Sequence, residues 1–486
     1  MRMTQNKHNW KLLVLALQVF ACSGMLLAQE PQTPEQPKPA GRGIPAITDP
    51  SIIQNEPSDQ DTSTPWSADT APLTGLQTTS LGRPDLRHNY WVPGLQFSST
   101  IQNQPNGTAG PGTSGGWYST NFFGASLSLL ESSSHTQLDV NYTGGGFVTT
   151  QSGQNNGWYQ QSALGETLKW KRWQMQILDQ FSYLPESQFG FGGGTPLSTP
   201  GIGGSLGPTV PGIGTSVVPN QSIYAATGPR YSNTIIDQIT YMTSPRGSFT
   251  AGGSYGLLRF SQAGNVSTDD YIGNIGYNYA LTKEDSIGVV YRFTAFHYQG
   301  DPQSVGDHTV SVAYGRQITR RLALQIFGGP EITTYRIPVG NKKKTLGGNG
   351  SASIKYAFRE GNQVSATYFH GVSGGSGVLI GSNTDQITLS GNARLTRVWS
   401  VHGNFGFSSD RALSSQTGIQ GSNYNSLFIT GGLDRPIGRN LGISLAYTAQ
   451  IQYVNPTVCA GAGCNTSFTQ NVVTISIQWH ANPFVL

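Results

Sequence analysis

From about Tyr90 to the C-terminus, apolar and polar residues alternate with a period of two. The clearest run sets Leu441, Ile443, Leu445, Tyr447, Ala449, Ile451 and Tyr453 against Gly442, Ser444, Ala446, Thr448, Gln450 and Gln452. Similar ladders set Ile287, Val289, Tyr291 and Phe293 against Gly288, Arg292 and Thr294, and Val473, Ile475, Ile477 and Trp479 against Thr474, Ser476 and Gln478. Strict alternation puts one greasy and one polar face on an extended strand. These runs exceed the five or six residues usual for a soluble strand and approach the length that crosses a bilayer at a tilt.

The connections between ladders alternate between short and long. Short ones include Thr282-Lys-Glu-Asp285, Thr319-Arg-Arg321 and Thr396-Arg397. Long ones, rich in Gly, Asn, Ser and Pro, fall near 103–116, 151–157, 184–230, 262–267, 299–307, 336–347, 373–383, 411–423 and 455–467. This spacing predicts an all-β, transmembrane, antiparallel up-and-down β-barrel over residues 89–486, of about eighteen strands with sixteen as the lower count. An apolar residue, Thr and a base recur at three turns (Leu281-Thr-Lys283, Ile318-Thr-Arg320, Leu395-Thr-Arg397), a pattern of hairpin duplication.

Composition narrows the class. Only 11% of residues are charged, against about 25% in soluble proteins, yet mean hydropathy is slightly negative. A soluble enzyme needs more surface charge and a helical membrane protein needs long apolar runs. The one long apolar stretch, Leu12 to Ala28, follows Arg2, Lys7 and Lys11 and reads as a secretory signal peptide over 1–28, cleaved near Ala28. A rival reading makes Val19-Phe-Ala-Cys22 a lipobox, with Cys22 lipidated. Residues 29–88 are rich in Pro, Gln, Thr and Asp without apolar period, so they are expected to form a flexible periplasmic arm, either a spacer or a docking segment. Cys459 and Cys464 are expected to close a loop disulfide, because no second Cys pair or His cluster accompanies them to hold a metal.

The last ladder, Asn471-Val-Val-Thr-Ile-Ser-Ile-Gln-Trp-His480, is similar to the alternating aromatic C-terminal strand of Gram-negative outer-membrane barrels. Over residues 89–486 the chain resembles the porin-like class of these proteins. The resemblance implies a cell outer membrane location, outer-membrane lipid and the barrel-insertion machinery as partners, and a homo-oligomer as one assembly. Members commonly end on Phe, whereas here Ala481-Asn-Pro-Phe-Val-Leu486 follows the strand.

A barrel wider than about eight strands cannot be filled by its own side chains, so a channel for passive diffusion of small hydrophilic solutes is the expected function. The alternatives are a barrel associated with exopolysaccharide or other export, and a non-conducting structural or adhesive barrel. Most inward positions are small and neutral; Asp139, Arg292, Lys355 and Arg394 are the charged candidates for the lumen, together with His402, so weak ion preference is expected. The largest loop, 184–230, sits where trimeric porins carry a constriction loop, but lacks the acidic residues such loops carry.

Two matching ladders, Ile177-Leu-Asp-Gln-Phe-Ser-Tyr183 and Ile235-Ile-Asp-Gln-Ile-Thr-Tyr241, place Asp179 and Asp237 on the apolar face. A bulge turning them inward, a protomer interface, and a cation site shared by two carboxylates each account for this. Tryptophans near strand ends are expected to form aromatic girdles. No enzyme is expected: His297, His308, His370 and His402 are scattered, with no nucleophile elbow or His-Glu-x-x-His pair. No cofactor or metal is expected, and the single basic turn residues without aromatic interleaving do not suit nucleic acid.

Overall fold

The computed structural model describes residues 89–103, 116–150, 156–184, 230–244, 246–261, 266–282, 284–299, 303–319, 321–336, 342–359, 362–374, 380–396, 398–413, 423–438, 440–454, 468–482 and 484–485. The segments expected to be a signal peptide and a periplasmic arm, the Cys459 and Cys464 pair and the interior of the 184–230 loop lie outside the described residues, as does the side chain of Lys355.

The strands follow one another in chain order: β1 (Tyr90–Asn103), β2 (Trp117–Ser132), β3 (Thr136–Thr149), β4 (Gly157–Lys169), β5 (Trp173–Leu184), β6 (Arg230–Ser244), β7 (Gly247–Phe260), β8 (Thr268–Ala280), β9 (Asp285–Tyr298) and β10 (Ser304–Thr319). The second half comprises β11 (Leu322–Arg336), β12 (Lys342–Arg359), β13 (Asn362–Ser373), β14 (Ser382–Arg394), β15 (Ser400–Ala412), β16 (Asn423–Ile437), β17 (Leu441–Val454), β18 (Phe468–His480) and the two-residue β19 (Phe484–Val485). Each of β1 to β17 pairs antiparallel with the next, and β1 pairs with β18, so the sheet closes on itself. Among the described residues the sheet has nineteen strands, against the expected figure of about eighteen. The additional β19 follows a break after β18 and runs along the same edge of β1, pairing Phe484 with Trp91 and Val485 with Tyr90. Two residues are too few to show a period.

Burial along the strands is inverted relative to a water-soluble protein. In β8 alternate positions are shielded, burying Asp270, Asn274 and Asn278 and exposing Tyr271, Ile275, Tyr277 and Tyr279. β16 to β18 repeat it, with Ser426, Thr430, Ser444, Thr448, Gln450, Thr474 and Ser476 buried and Leu445, Tyr447, Ile451, Ile475 and Ile477 exposed. The inward hydroxyls pair across strands: Ser444 with Ser476 at 2.6 Å, Thr430 with Thr448 at 2.9 Å, and Ser365 with Ser390 at 2.6 Å. Such pairs satisfy groups that the wall removes from bulk water and tie neighbouring strands on one face.

The short turns share a local device. Thr282 Oγ1 accepts the backbone N–H groups of Glu284 and Asp285, Thr319 Oγ1 those of Arg321 and Leu322, and Thr396 Oγ1 those of Val398 and Trp399. The recurring threonine is thus a turn lock, in which the side chain supplies the acceptor that the departing strand cannot. Thr319→Ala and Thr396→Ala should each lower stability by about 1 kcal/mol. Their effects should add, because they lie in different hairpins, as read from urea midpoints of the barrel in lipid vesicles.

Candidate functional site on the inner wall

Register places the inward side chains of β8 to β12 on successive rungs. One rung joins Asn274, Arg292, Thr309, Glu331 and Gly347. The next, towards the long loops, joins Ile272, Thr294, Asp307, Thr333 and Thr345. Arg292, Asp307 and Glu331 are thereby grouped, with Thr309 between Arg292 and Glu331 along the rung. By register Arg292 stands one strand and one rung from Asp307 and two strands from Glu331. Thr333 Oγ1 lies 3.3 Å from Asp307 Oδ1 and 3.3 Å from Glu331 Oε1. One hydroxyl hydrogen therefore serves two carboxylates. Ser311, lower on the wall, donates to Asn349 Oδ1 at 2.9 Å.

Above the charged rungs the inward residues turn apolar. Phe296, Tyr298, Val305, Tyr335, Val372 and Ile380 form one buried cluster, with Leu413 packed against it. The chain after β13 comes in to meet it: the Tyr298 hydroxyl donates to the Gly374 carbonyl at 2.8 Å, and Leu413 N donates to Gly381 O. A side chain at 374 would meet Phe296 at 2.6 Å, and Gly381 has φ of +72°, a left-handed backbone that suits glycine. The result is an aromatic shelf at the long-loop end. A second inward aromatic group, Phe122, Phe147 and Tyr159, sits on β2 to β4, far round the wall by strand count, with the Tyr159 hydroxyl accepting from Gln96 at 2.7 Å.

Of the residues singled out from sequence, Asp139 and Arg292 are inward and buried, and Asp139 accepts from Gln137 at 3.1 Å. His402 is inward near the short turns, 2.7 Å from Asp434. Arg394 has inward parity but sits exposed at the short-turn end of β14, so it lies at the edge of the wall rather than within it. Lys355 has inward parity in β12, and its side chain is among those not described.

Asp179 and Asp237 stay on the outward face, because β5 and β6 pair without a register shift: Asp179 stands opposite the exposed Ile235, and Asp237 opposite Ile177. No bulge turns them inward. Asn233 donates to Asp179 at 2.7 Å. The exposed tryptophans 117, 158, 170, 173, 399 and 479 sit at strand ends, and Trp158 stacks on Tyr183 at 4.3 Å. His370 pairs with Asp385 on the outward face, opposite to the face of His402.

Sequence reasoning missed Asp270, Asp307, Glu331 and Asp410, all inward and buried. Parity with Thr309 and Ser311 was the signal available for Asp307. The expectation of a small, neutral lining therefore needs correcting. Among the described residues the buried charged side chains are five carboxyls, Asp139, Asp270, Asp307, Glu331 and Asp410, and one guanidinium, Arg292.

No family model matches the chain, and no curated protein matches it. Solved structures similar to it include Pseudomonas aeruginosa OpdQ, 10% identical over 81% of this chain and 99% of that one with a TM-score of 0.40. A BenF-like porin from Pseudomonas fluorescens Pf-5 is 11% identical over 82% of this chain and 99% of that one, with a TM-score of 0.40. The ferric citrate transporter FecA is 9% identical over 79% of this chain and 63% of that one, with a TM-score of 0.39. The barrel assignment rests on the strand pairing itself.

The shelf makes a direct prediction. Gly381→Val puts a β-branched residue at positive φ, with its Cβ 2.9 Å from Val305 Cγ2, and should destabilise the barrel by about 1–3 kcal/mol. Gly431→Ala, where nothing lies within 4 Å of the added carbon, should stay within about 0.5 kcal/mol of the parent. Urea midpoints of the two variants check both.

Proposed function

We propose that this chain is an outer-membrane channel through which small hydrophilic solutes diffuse passively. The observation that carries the reading is the inverted wall, closed on itself, with apolar side chains exposed outward and polar ones turned inward. Residues such as Ile429, Leu445, Tyr447, Ile475 and Ile477 are between 38% and 48% exposed on the outward face. In water such a continuous apolar surface is an aggregation hazard. In lipid it is the required solvent-facing surface, and closure leaves no strand edge unpaired within the hydrocarbon. Exposed tryptophans at strand ends match the interfacial girdles of membrane barrels.

A ring of the eighteen strands β1 to β18 is wider than the size at which side chains alone fill the interior. Hydroxyls and amides line it, which suits hydrated solutes, and the aromatic shelf narrows it at one end. Long loops on one side and locked turns on the other match the outer and periplasmic faces of such barrels.

Two measurements test the reading. Ile429→Arg, near the middle of β16, should cost about 2–4 kcal/mol if that face meets lipid. On a face that meets water the same change should stay within about 0.5 kcal/mol. The full-length protein reconstituted in planar bilayers should give stable conductance steps. A folded but silent barrel would overturn the channel reading and return the export and structural ones.

A further inference from the structure

We propose that the inner wall of β8 to β12 forms a cation-binding subsite, and that the pathway passes small monovalent cations, inorganic or organic ammonium, in preference to anions. The proposal deepens the channel reading and rests on it. Its first support is an imbalance among the buried charged side chains, five carboxyls to one guanidinium among the described residues, while the inward-parity Lys343 and Arg394 are exposed at opposite ends of the wall. Within the subsite the ratio is two to one, Asp307 and Glu331 to Arg292.

Hydrogen bonding sharpens the case. Thr333 has one hydroxyl hydrogen for two carboxylates, each 3.3 Å away, so at any instant one of them lacks that donor. The second Glu331 oxygen, Oε2, is buried without a hydrogen-bond partner, although the Val372 backbone lies beside the carboxylate. An independent observation comes from the same rung. Asn274, 7% exposed and standing opposite Arg292, has neither its amide oxygen nor its amide nitrogen hydrogen-bonded. Buried polar groups left unmatched are costly unless a visiting group satisfies them.

A cation fits what is missing. It brings positive charge to Asp307 and Glu331, and an ammonium also brings a hydrogen for Glu331 Oε2. An anion meets two carboxylates, Asp307 and Glu331, against the one guanidinium of Arg292. Among the described residues no group of three or more His, Cys, Asp or Glu is placed to hold a metal ion, so the donor set suits a passing monovalent ion rather than a chelated one. The shelf of Phe296, Val305 and Tyr335 lies on the adjoining rung, where the low local dielectric strengthens the attraction.

The test is the reversal potential of the reconstituted full-length protein across a KCl gradient, repeated with methylammonium chloride. Wild-type channels should be cation-selective. The double variant Asp307→Asn with Glu331→Gln should lose that preference several-fold, whereas Arg292→Gln should increase it. Glu131→Gln, at the outward short-turn end of β2, should leave the ratio unchanged. Folding of each variant is read from heat-dependent gel mobility. If the double variant does not fold, the wild-type sign and the Arg292→Gln shift decide. An anion-selective wild type, a preference indifferent to the double variant, or an Arg292→Gln channel with weakened cation preference would overturn the subsite while leaving the channel standing. Absence of conductance would overturn the channel reading itself, and the subsite with it.

Discussion

The structure depends on one constraint: every strand must find hydrogen-bond partners on both sides, and the first strand finds its second partner only in the last. The pairing of β1 with β18 runs from Gly94 and His480 to Gln102 and Val472, and it joins positions as far apart as Thr100 and Thr474. A sheet with free edges would present unpaired N–H and C=O groups, which pair with other chains in water and are prohibitive in lipid. Once the ring is shut, the period of two sorts every side chain to one of two faces. The apolar exterior, the hydroxyl ladders and the charged rungs are consequences of that sorting. Because the closing contacts are so distant in sequence, loop-closure entropy falls heavily on them, and the stacked Trp91 and Phe484 rings, 4.7 Å apart, help hold the seam near its end.

The two faces treat charge differently. Three outward carboxylates carry side-chain partners: Asp179 is hydrogen-bonded by Asn233, Asp385 by Tyr368 and His370, and Asp269 by Tyr255 and Arg259. Of the buried inward carboxylates, Asp270 and Glu331 each keep one oxygen without a hydrogen-bond partner. A lining that left none of its polar groups wanting would hold the wall together but would offer a solute nothing.

Much of the fold was legible because its signal is periodic and repeated. Ladders such as 441–453 and the alternation of short and long connections carry the same information many times over, so local exceptions do not erase it. The site was less legible, for a physical reason. Near the long loops the inward face turns apolar at Phe296, Val305 and Tyr335, so the rule that polar means inward fails where Asp307 and Glu331 begin. Only pairing register, which sequence does not state, shows that these two and Arg292 lie on adjoining rungs. β19 escaped because a two-residue strand is recognised by its partner alone. For Asp179 and Asp237 the alternation was right and the commonest exception to it, a bulge, is absent.

The threonine locks bear on how such a chain can vary. A turn closed by one hydroxyl accepting N–H groups two and three residues later tolerates no change of length, since an added residue either breaks the lock or swaps the faces of the strand that follows. A long loop has no such bond to keep, and doubling its length costs only about 0.6 kcal/mol. Length variation is thereby confined to one mouth of the barrel. Loops there can diverge or be grafted while the opposite mouth keeps the parity of every strand, so the surface presented to the surroundings is free to change on a wall that is not.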